Sequence, residues 1–317
     1  MSATAVLDAA LTAAPHIRVE PMTVHIGAEI HGIDLARPLS AAETTAVRAA
    51  VLRWKVVFFR EQALDHSSHV RLAEQFGDPT PGHVVFGGDT KHPAIYSIAK
   101  FRKANNRVRQ GLRVWSGWHA DITAAINPPA FSILRGDIVP PYGGDTQWTN
   151  LAVAFEKLAP SLQRWLETLN GIHQFDPPGK VSGNAAYDEI VSKRTMISSH
   201  PMVTVHPETG EKVLYISPAF LRRIDGMASN ESQPVLHMLW EHAVMPEFTV
   251  RFRWAPGSVA FWDNRATAHL APRDIFDSDF DRQFYRVTLA GSVPTGIDGR
   301  ASRAIEGEPI ESLAQLA

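Results

Sequence analysis

SGWHADITAA, residues 116–125, sets a histidine two positions before an aspartate, and the reading of that pair decides which scaffold carries it. In a strand, residues i and i+2 point to the same face, so His119 and Asp121 present an imidazole and a carboxylate to one point. Such a pair is two thirds of the facial triad that holds non-haem Fe(II), and it asks for a second histidine from elsewhere in the chain. A lone His-X-Asp is also ordinary strand surface in many proteins, so the surrounding sequence has to decide.

Around the pair the pattern is mostly β. AFSIL (130–134) reads as a strand, and PPYGGDTQW (140–148) as a turn leading into another. MVTVHPETGEKVLYI (202–216) reads as a hairpin around a Pro-Glu-Thr-Gly turn, and GSVAFWDNRATAHLA (257–271) and RQFYRVTLAG (282–291) are strand-like. Upstream, TVHIGAEIHGIDL (23–35) alternates like an opening hairpin, and VVFFR (56–60) is a short apolar strand. Helices punctuate these strands. Ser40 and Glu43 stand at capping-box spacing before a run of helix formers. A second helix ends at about Phe76, where Gly77 stops it. Residues 151–171 are helical on both sides of Pro160, with Leu162, Trp165, Leu166 and Leu169 on one stripe, and 231–243 form another helix. Residues 77–117 look irregular. Strands with helices on one side predict a mainly β fold with one closed or double-sheet core. We expect residues 1–18 to be a flexible tail and 19–317 a single domain.

Composition narrows the chemistry. The chain has 317 residues, 44% of them apolar, and a formal net charge of −2. That near-neutral balance provides no field for nucleic acid or an anionic membrane. No run of about 18 apolar residues marks a membrane span. The apolar start lacks the basic leading region of a signal peptide, so a cytoplasmic location is expected. With no cysteine, thiolate metal sites, iron–sulfur clusters and cysteine nucleophiles are all excluded. A metal must be held by histidine and carboxylate.

His269, in FWDNRATAHLA, is the candidate third ligand. Beyond it, Arg282, Phe284, Arg286 and Thr288 share one face of a strand, and Tyr285, Val287 and Leu289 the other. Two arginines on an inner face require an anionic partner, and a small-molecule carboxylate or sulfonate suits their fork geometry. His206 and Glu208 are a rival imidazole–carboxylate pair, set aside because their Pro-Glu-Thr-Gly turn reads as an exposed hairpin tip. The stretch KFRKANNRVRQGLR (100–113) holds six basic residues and no acid. It reads either as a solvated loop or as a mobile lid that draws in an anion.

Taken in order, IGAEIHGIDL, VVFFR, WHADIT, PPYGGDTQWTN, HPETGEKVLY, WDNRATAHLA and RQFYRVTLAG make the chain resemble the taurine dioxygenase / 2,4-D dioxygenase (TauD/TfdA) family over about residues 19–305. The resemblance implies a double-stranded β-helix (jelly-roll, cupin-like) core and an oxidoreductase that uses Fe(II), 2-oxoglutarate and O2. It implies His119, Asp121 and His269 as iron ligands, with Thr146 and Arg282 binding 2-oxoglutarate. Arg286 and His83 match residues that contact the substrate's anionic group in relatives, although Arg286 also matches a position near the other end of 2-oxoglutarate. Ile122, next to Asp121, is a candidate lining residue. Phe86 stands where the family has a tyrosine and Trp115 where it has an asparagine, which favours a more apolar substrate than taurine. The expected substrate is a small anionic organic molecule, an alkyl sulfate or sulfonate. The alternatives are a carboxylic acid of secondary metabolism, such as a terpenoid, that is hydroxylated or desaturated, and a non-catalytic metal- or ligand-binding barrel. Relatives often form dimers or tetramers, so a homo-oligomer is expected.

Overall fold

Alternate residues of one short strand, β3 (Val56–Phe59), enter two different cores, and the architecture follows from that. In the computed structural model, described for residues 7, 9–83, 86–99, 113–176, 189 and 194–317, β3 lies within a seven-stranded sheet. Its order is β1 (Arg18–Pro21), β2 (Ala28–His31), β3, β13 (Val259–Asp263), β5 (Phe131–Ile138), β15 (Gln283–Leu289) and β4 (Tyr96–Ala99). A three-stranded sheet, β12 (Thr249–Phe252), β6 (Thr146–Asn150) and β14 (Thr267–Leu270), packs against it. Val56, Phe58, Ala260, Trp262 and Phe284 of the large sheet meet Trp148, Val250 and Phe252 of the small one. The Phe58 and Phe252 rings stack at 4.0 Å. These facing layers, antiparallel except where β2 runs parallel to β3, are the expected jelly-roll core. β7 (Asn170–Phe175), β8 (Met196–Pro201), β11 (Leu221–Ile224) and β16 (Arg303–Glu306) form a further sheet, in the order β11-β7-β8-β16.

The opposite face of the large sheet is covered by helices. Val57, Phe59, Ile133, Phe261, Val287 and Leu289 pack under α1 (Ala41–Trp54) and α2 (His66–Glu74). Ser40 and Glu43 form the predicted capping box at the start of α1, a cap that contributes about 1 kcal/mol. α3 (Leu151–Glu156) and α4 (Pro160–Leu166) flank Pro160 as expected, and α5 (Ser229–Ala243) begins two residues earlier than the sequence suggested.

Several expectations need correction. The opening hairpin is β1–β2 at 18–31, not 23–35. Thr23 closes its turn, its Oγ1 donating to the Ile26 carbonyl and accepting from the Ile26 amide. Of the presumed tail, Leu11, Ala14 and Ile17 pack into the first core, so that part is anchored. The irregular stretch 77–117 hides β4, which pairs with β15 along Tyr96–Ala99. Residues 100–112 of the basic stretch lie outside the described residues. Among the described residues no helix is long and apolar enough to cross a membrane.

Candidate metal centre

His269 is carried by β14, where it faces Trp148 of β6 in the register. An isolated antiparallel bridge brings the chain before Asp121 alongside it. His119 N donates to His269 O at 2.9 Å, and His269 N to His119 O at 2.6 Å. The predicted continuous strand does not carry the pair further. After the bridge the backbone turns, and Ile122 sits at φ +45°, a left-handed conformation that costs a non-glycine residue about 1–3 kcal/mol. The turn, not strand pleating, aims Asp121 at the two histidines. One ligand atom each from His119, Asp121 and His269 converge within 4.8 Å of one another.

Each of these three side chains is held by its neighbours. His119 Nδ1 donates to the Gly117 carbonyl at 3.0 Å, which leaves its other nitrogen free to ligate. Asp121 Oδ2 accepts from Ser132 Oγ at 2.8 Å, and Oδ1 from Arg286 Nη1 at 2.5 Å. Behind Ser132, Asn264 Nδ2 donates to its hydroxyl at 2.9 Å, and Trp262 Nε1 donates to Asn264 Oδ1 at 2.8 Å. Burial pushes the Asp121 carboxyl up, but Arg286, His269, His119 and Ser132 together outweigh it and hold it well below the usual carboxylate range. Burial, with His119 and Arg286 adding like charge against the pull of Asp121, keeps His269 well below its ordinary range and neutral. Two imidazoles and an ionised carboxylate are a donor set that fits Fe(II). His269 Nδ1 is buried without a hydrogen-bond partner.

The two arginines differ. The sequence left both in search of an external anion, yet Arg286 has an internal one, Asp121. Arg282 has none: among the described residues no carboxylate comes within 4 Å of it. Its Nε donates to the Gly144 carbonyl at 3.2 Å, and its guanidinium lies 3.8 Å from the centre of the Phe284 ring. Burial pulls it down to about 10 against Asp274 and Asp145. Gly144 has φ +69°, and a Cβ there would approach Arg282 Nε to 3.1 Å, so glycine is required on both counts. Two residues on, the buried Thr146 hydroxyl accepts from Trp254 Nε1 at 3.0 Å and keeps its own proton to donate.

Ile122 and Phe86 fall into one apolar cluster with Met196, Phe220 and Ile310. His83 stacks on Phe86 at 4.5 Å. Trp115 is elsewhere, packed on Trp240 and His237 of α5 at 4.6 and 5.2 Å. Sequence reasoning missed Ser132, Asn264, Trp262 and Trp254. A serine inside the apolar AFSIL strand was the available signal for the first. The rival pair is no exposed tip either: His206 is buried and bonded to Asp263 at 2.9 Å.

The model of the taurine catabolism dioxygenase TauD, TfdA family matches residues 18–288. An alpha-ketoglutarate-dependent sulfate ester dioxygenase of Pseudomonas putida is 37% identical over 312 residues, covering 93% of this chain and 98% of its own length. An alkylsulfatase of Acinetobacter baylyi is 36% identical over 291 residues, 89% of this chain and 88% of its own. The crystal structure of a taurine dioxygenase from Burkholderia xenovorans superposes with a TM-score of 0.83 at 57% identity, covering 93% of this chain and 96% of that one.

Proposed function

Because the chain belongs to the TauD/TfdA family of Fe(II)- and 2-oxoglutarate-dependent dioxygenases, we propose that it oxidises the carbon beside the heteroatom of an alkyl sulfate or alkyl sulfonate. In this reading His119, Asp121 and His269 hold the iron. When bound, the iron with 2-oxoglutarate and O2 supplies the oxidising power to break an unactivated C–H bond, as 2-oxoglutarate is converted to succinate and CO2. The observation that carries the reading is the convergence of the three ligand atoms within 4.8 Å, in a chain whose buried Arg282 has no carboxylate within 4 Å among the described residues. Arg282 takes the distal carboxylate of 2-oxoglutarate, and the Thr146 hydroxyl donates to it. Each such charged contact contributes roughly 1.5–3 kcal/mol.

The substrate's sulfonyl group belongs with Arg286 and His83. Arg286 Nε is buried and unpartnered, a donor available beyond the Asp121 contact. Ile122 and Phe86 face the apolar body. Oxygen inserted next to the heteroatom gives an unstable adduct, which collapses to an aldehyde with release of sulfate from an ester or sulfite from a sulfonate. The names of the relatives at 37% and 36% identity support this class. The name of the 57% identical structure favours a second reading, taurine. Against it, the cluster that holds Phe86 with Ile122, Met196, Phe220 and Ile310 contains no carboxylate to pair with an ammonium group.

Succinate formation with Fe(II), ascorbate and 2-oxoglutarate, run against alkyl sulfates, alkyl sulfonates, taurine and apolar carboxylic acids, tests the reading. Aldehyde plus sulfate or sulfite is the expected product. Turnover of taurine alone, or an intact carboxylate gaining one oxygen, would overturn it.

A further inference from the structure

Beyond His83 the molecule opens into a cleft of ≈670 Å³, within the range of small-molecule sites. A chain of side chains links it to the metal centre. Asp121 is bonded to Arg286, whose guanidinium lies 5.5 Å from the Tyr96 ring, and that ring lies 4.9 Å from His83. The cleft floor includes Met196 and Ile310, both buried and both in the apolar cluster with Ile122 and Phe86. Glu306, Glu308 and Glu311 also line it, and all three are exposed. Arg194 lines it as well, so the gradient runs from a cationic inner end, over an apolar floor, to a lip where three glutamates outnumber one arginine.

The wall is built rather than draped. Asn127 Nδ2 donates to the Ile310 carbonyl at 2.9 Å, and its Oδ1 accepts from the Ile310 amide at 2.7 Å. β16 pairs with β8 just before it, and Leu313 N donates to Pro79 O at 2.8 Å just after. Asn127 lies six residues beyond Asp121, so the clamp ties this wall to the segment that aims the carboxylate.

We propose that this cleft is the tail-binding subsite. An alkyl chain runs from the sulfonyl group at His83 and Arg286 over Met196 and Ile310, and the glutamate lip rejects chains that end in a second anion. The inference deepens the alkyl sulfate reading and rests on it. Each methylene laid on the floor should tighten binding about two- to fourfold.

The experiment is calorimetric titration of ethyl to octyl sulfates, below their micelle concentrations, into the Fe(II)- and 2-oxoglutarate-loaded enzyme under argon. Kd should fall by that factor per methylene in the wild type. Ile310→Trp should flatten the series, and Ile310→Ala should weaken octyl sulfate severalfold. An unchanged slope in both variants, or no slope in the wild type, overturns the proposal. Octane-1,8-diyl bis-sulfate should bind at least about tenfold more weakly than octyl sulfate at low ionic strength. Added salt, or the double variant Glu308→Gln/Glu311→Gln, should narrow that gap; equal binding of the two in the wild type removes the lip from the proposal. Aldehyde release on admitting O2 is read separately. A binding slope without aldehyde leaves the tail site standing and sinks the sulfate reading, whereas aldehyde without a slope sinks the tail site alone.

Discussion

Two buried clusters in this molecule combine histidine, aspartate and arginine, and they finish differently. Around Asp263 every polar atom is answered. Its Oδ1 accepts from the Arg265 backbone and Nε at 2.9 and 2.8 Å, and its Oδ2 from Arg265 Nη2 and His206 Nε2 at 2.7 and 2.9 Å. His206 Nδ1 accepts from the Glu208 and Thr209 amides, and Glu208 bridges Arg265 and Arg48 at 2.8 Å each. Around Asp121 the account stays open. His269 Nδ1 and Arg286 Nε are buried without partners, and among the described residues no carboxylate comes within 4 Å of Arg282. Composition does not separate a structural ionic network from a reactive centre. Satisfaction does, because a buried polar atom left orphaned costs about 1–3 kcal/mol and persists where a ligand supplies the missing contact.

The largest effects come from exchanging the two aspartates' fates. Asp121→Ala removes a metal ligand, and succinate formation should drop by far more than the 10–100-fold typical of outer-shell changes. Asp263→Ala leaves the buried His206 and the half-buried Arg265 without their shared partner and should cost roughly 3–5 kcal/mol of stability. Turnover per folded molecule should fall much less in that variant. Urea unfolding alongside turnover reads both quantities. If Asp121→Ala unfolds while folded Asp263→Ala is dead, open and closed have been assigned the wrong way round.

A smaller effect isolates the unanswered arginine. Arg282→Ala should raise the 2-oxoglutarate KM about 10- to 150-fold, equivalent to the 1.5–3 kcal/mol of one charged contact. Its kcat at saturating 2-oxoglutarate should change little. A collapse of kcat with KM unchanged would mean that Arg282 acts on something other than co-substrate binding.

The same contrast explains what was legible in the sequence. His119, Asp121 and His269 could be singled out because chemistry restricts which residue types can ligate iron. The core strands could be read because apolar runs such as VVFF and the alternation in RQFYRVTL report local burial. The burial of His206 could not be read, because Pro207 and Gly210 report only a turn. Whether a turn is exposed depends on Arg48 of α1 and Asp263 of β13, which are 158 and 57 residues away from His206. β4 was missed for a similar reason: YSIA carries little pattern of its own and is a strand because β15 offers it an edge. Ser132 and Asn264 acquire their role only when β5 and the turn after β13 are brought beside Asp121.

The smallest effect should come from beneath the open centre. His200 Nε2 lies 2.9 and 3.2 Å from the carbonyls of Thr123 and Ala125, so it braces the turn that follows Asp121. Burial pushes its imidazole down to about 4, against the opposing pull of those two carbonyls. A lowered histidine has a definite sign. Above pH ~6.5 neither state takes the proton; from there down to about 4 the unfolded chain binds a proton that the native state refuses, so stability falls with pH. Below about 4 both states are protonated and the loss stops growing. Between pH 6.5 and 5.0 this one group should remove about 1.6 kcal/mol, because the slope of ~1.4 kcal/mol per unit is only half developed at pH 6.5. Urea unfolding at those two pH values should show His200→Gln losing about 1.6 kcal/mol less than the wild type. Gln retains an amide donor for the two carbonyls, so the turn keeps its brace while the titration disappears. Equal losses in the two proteins would mean that His200 is free to protonate in the folded state, and that the floor beneath the metal centre is wetter than its burial implies.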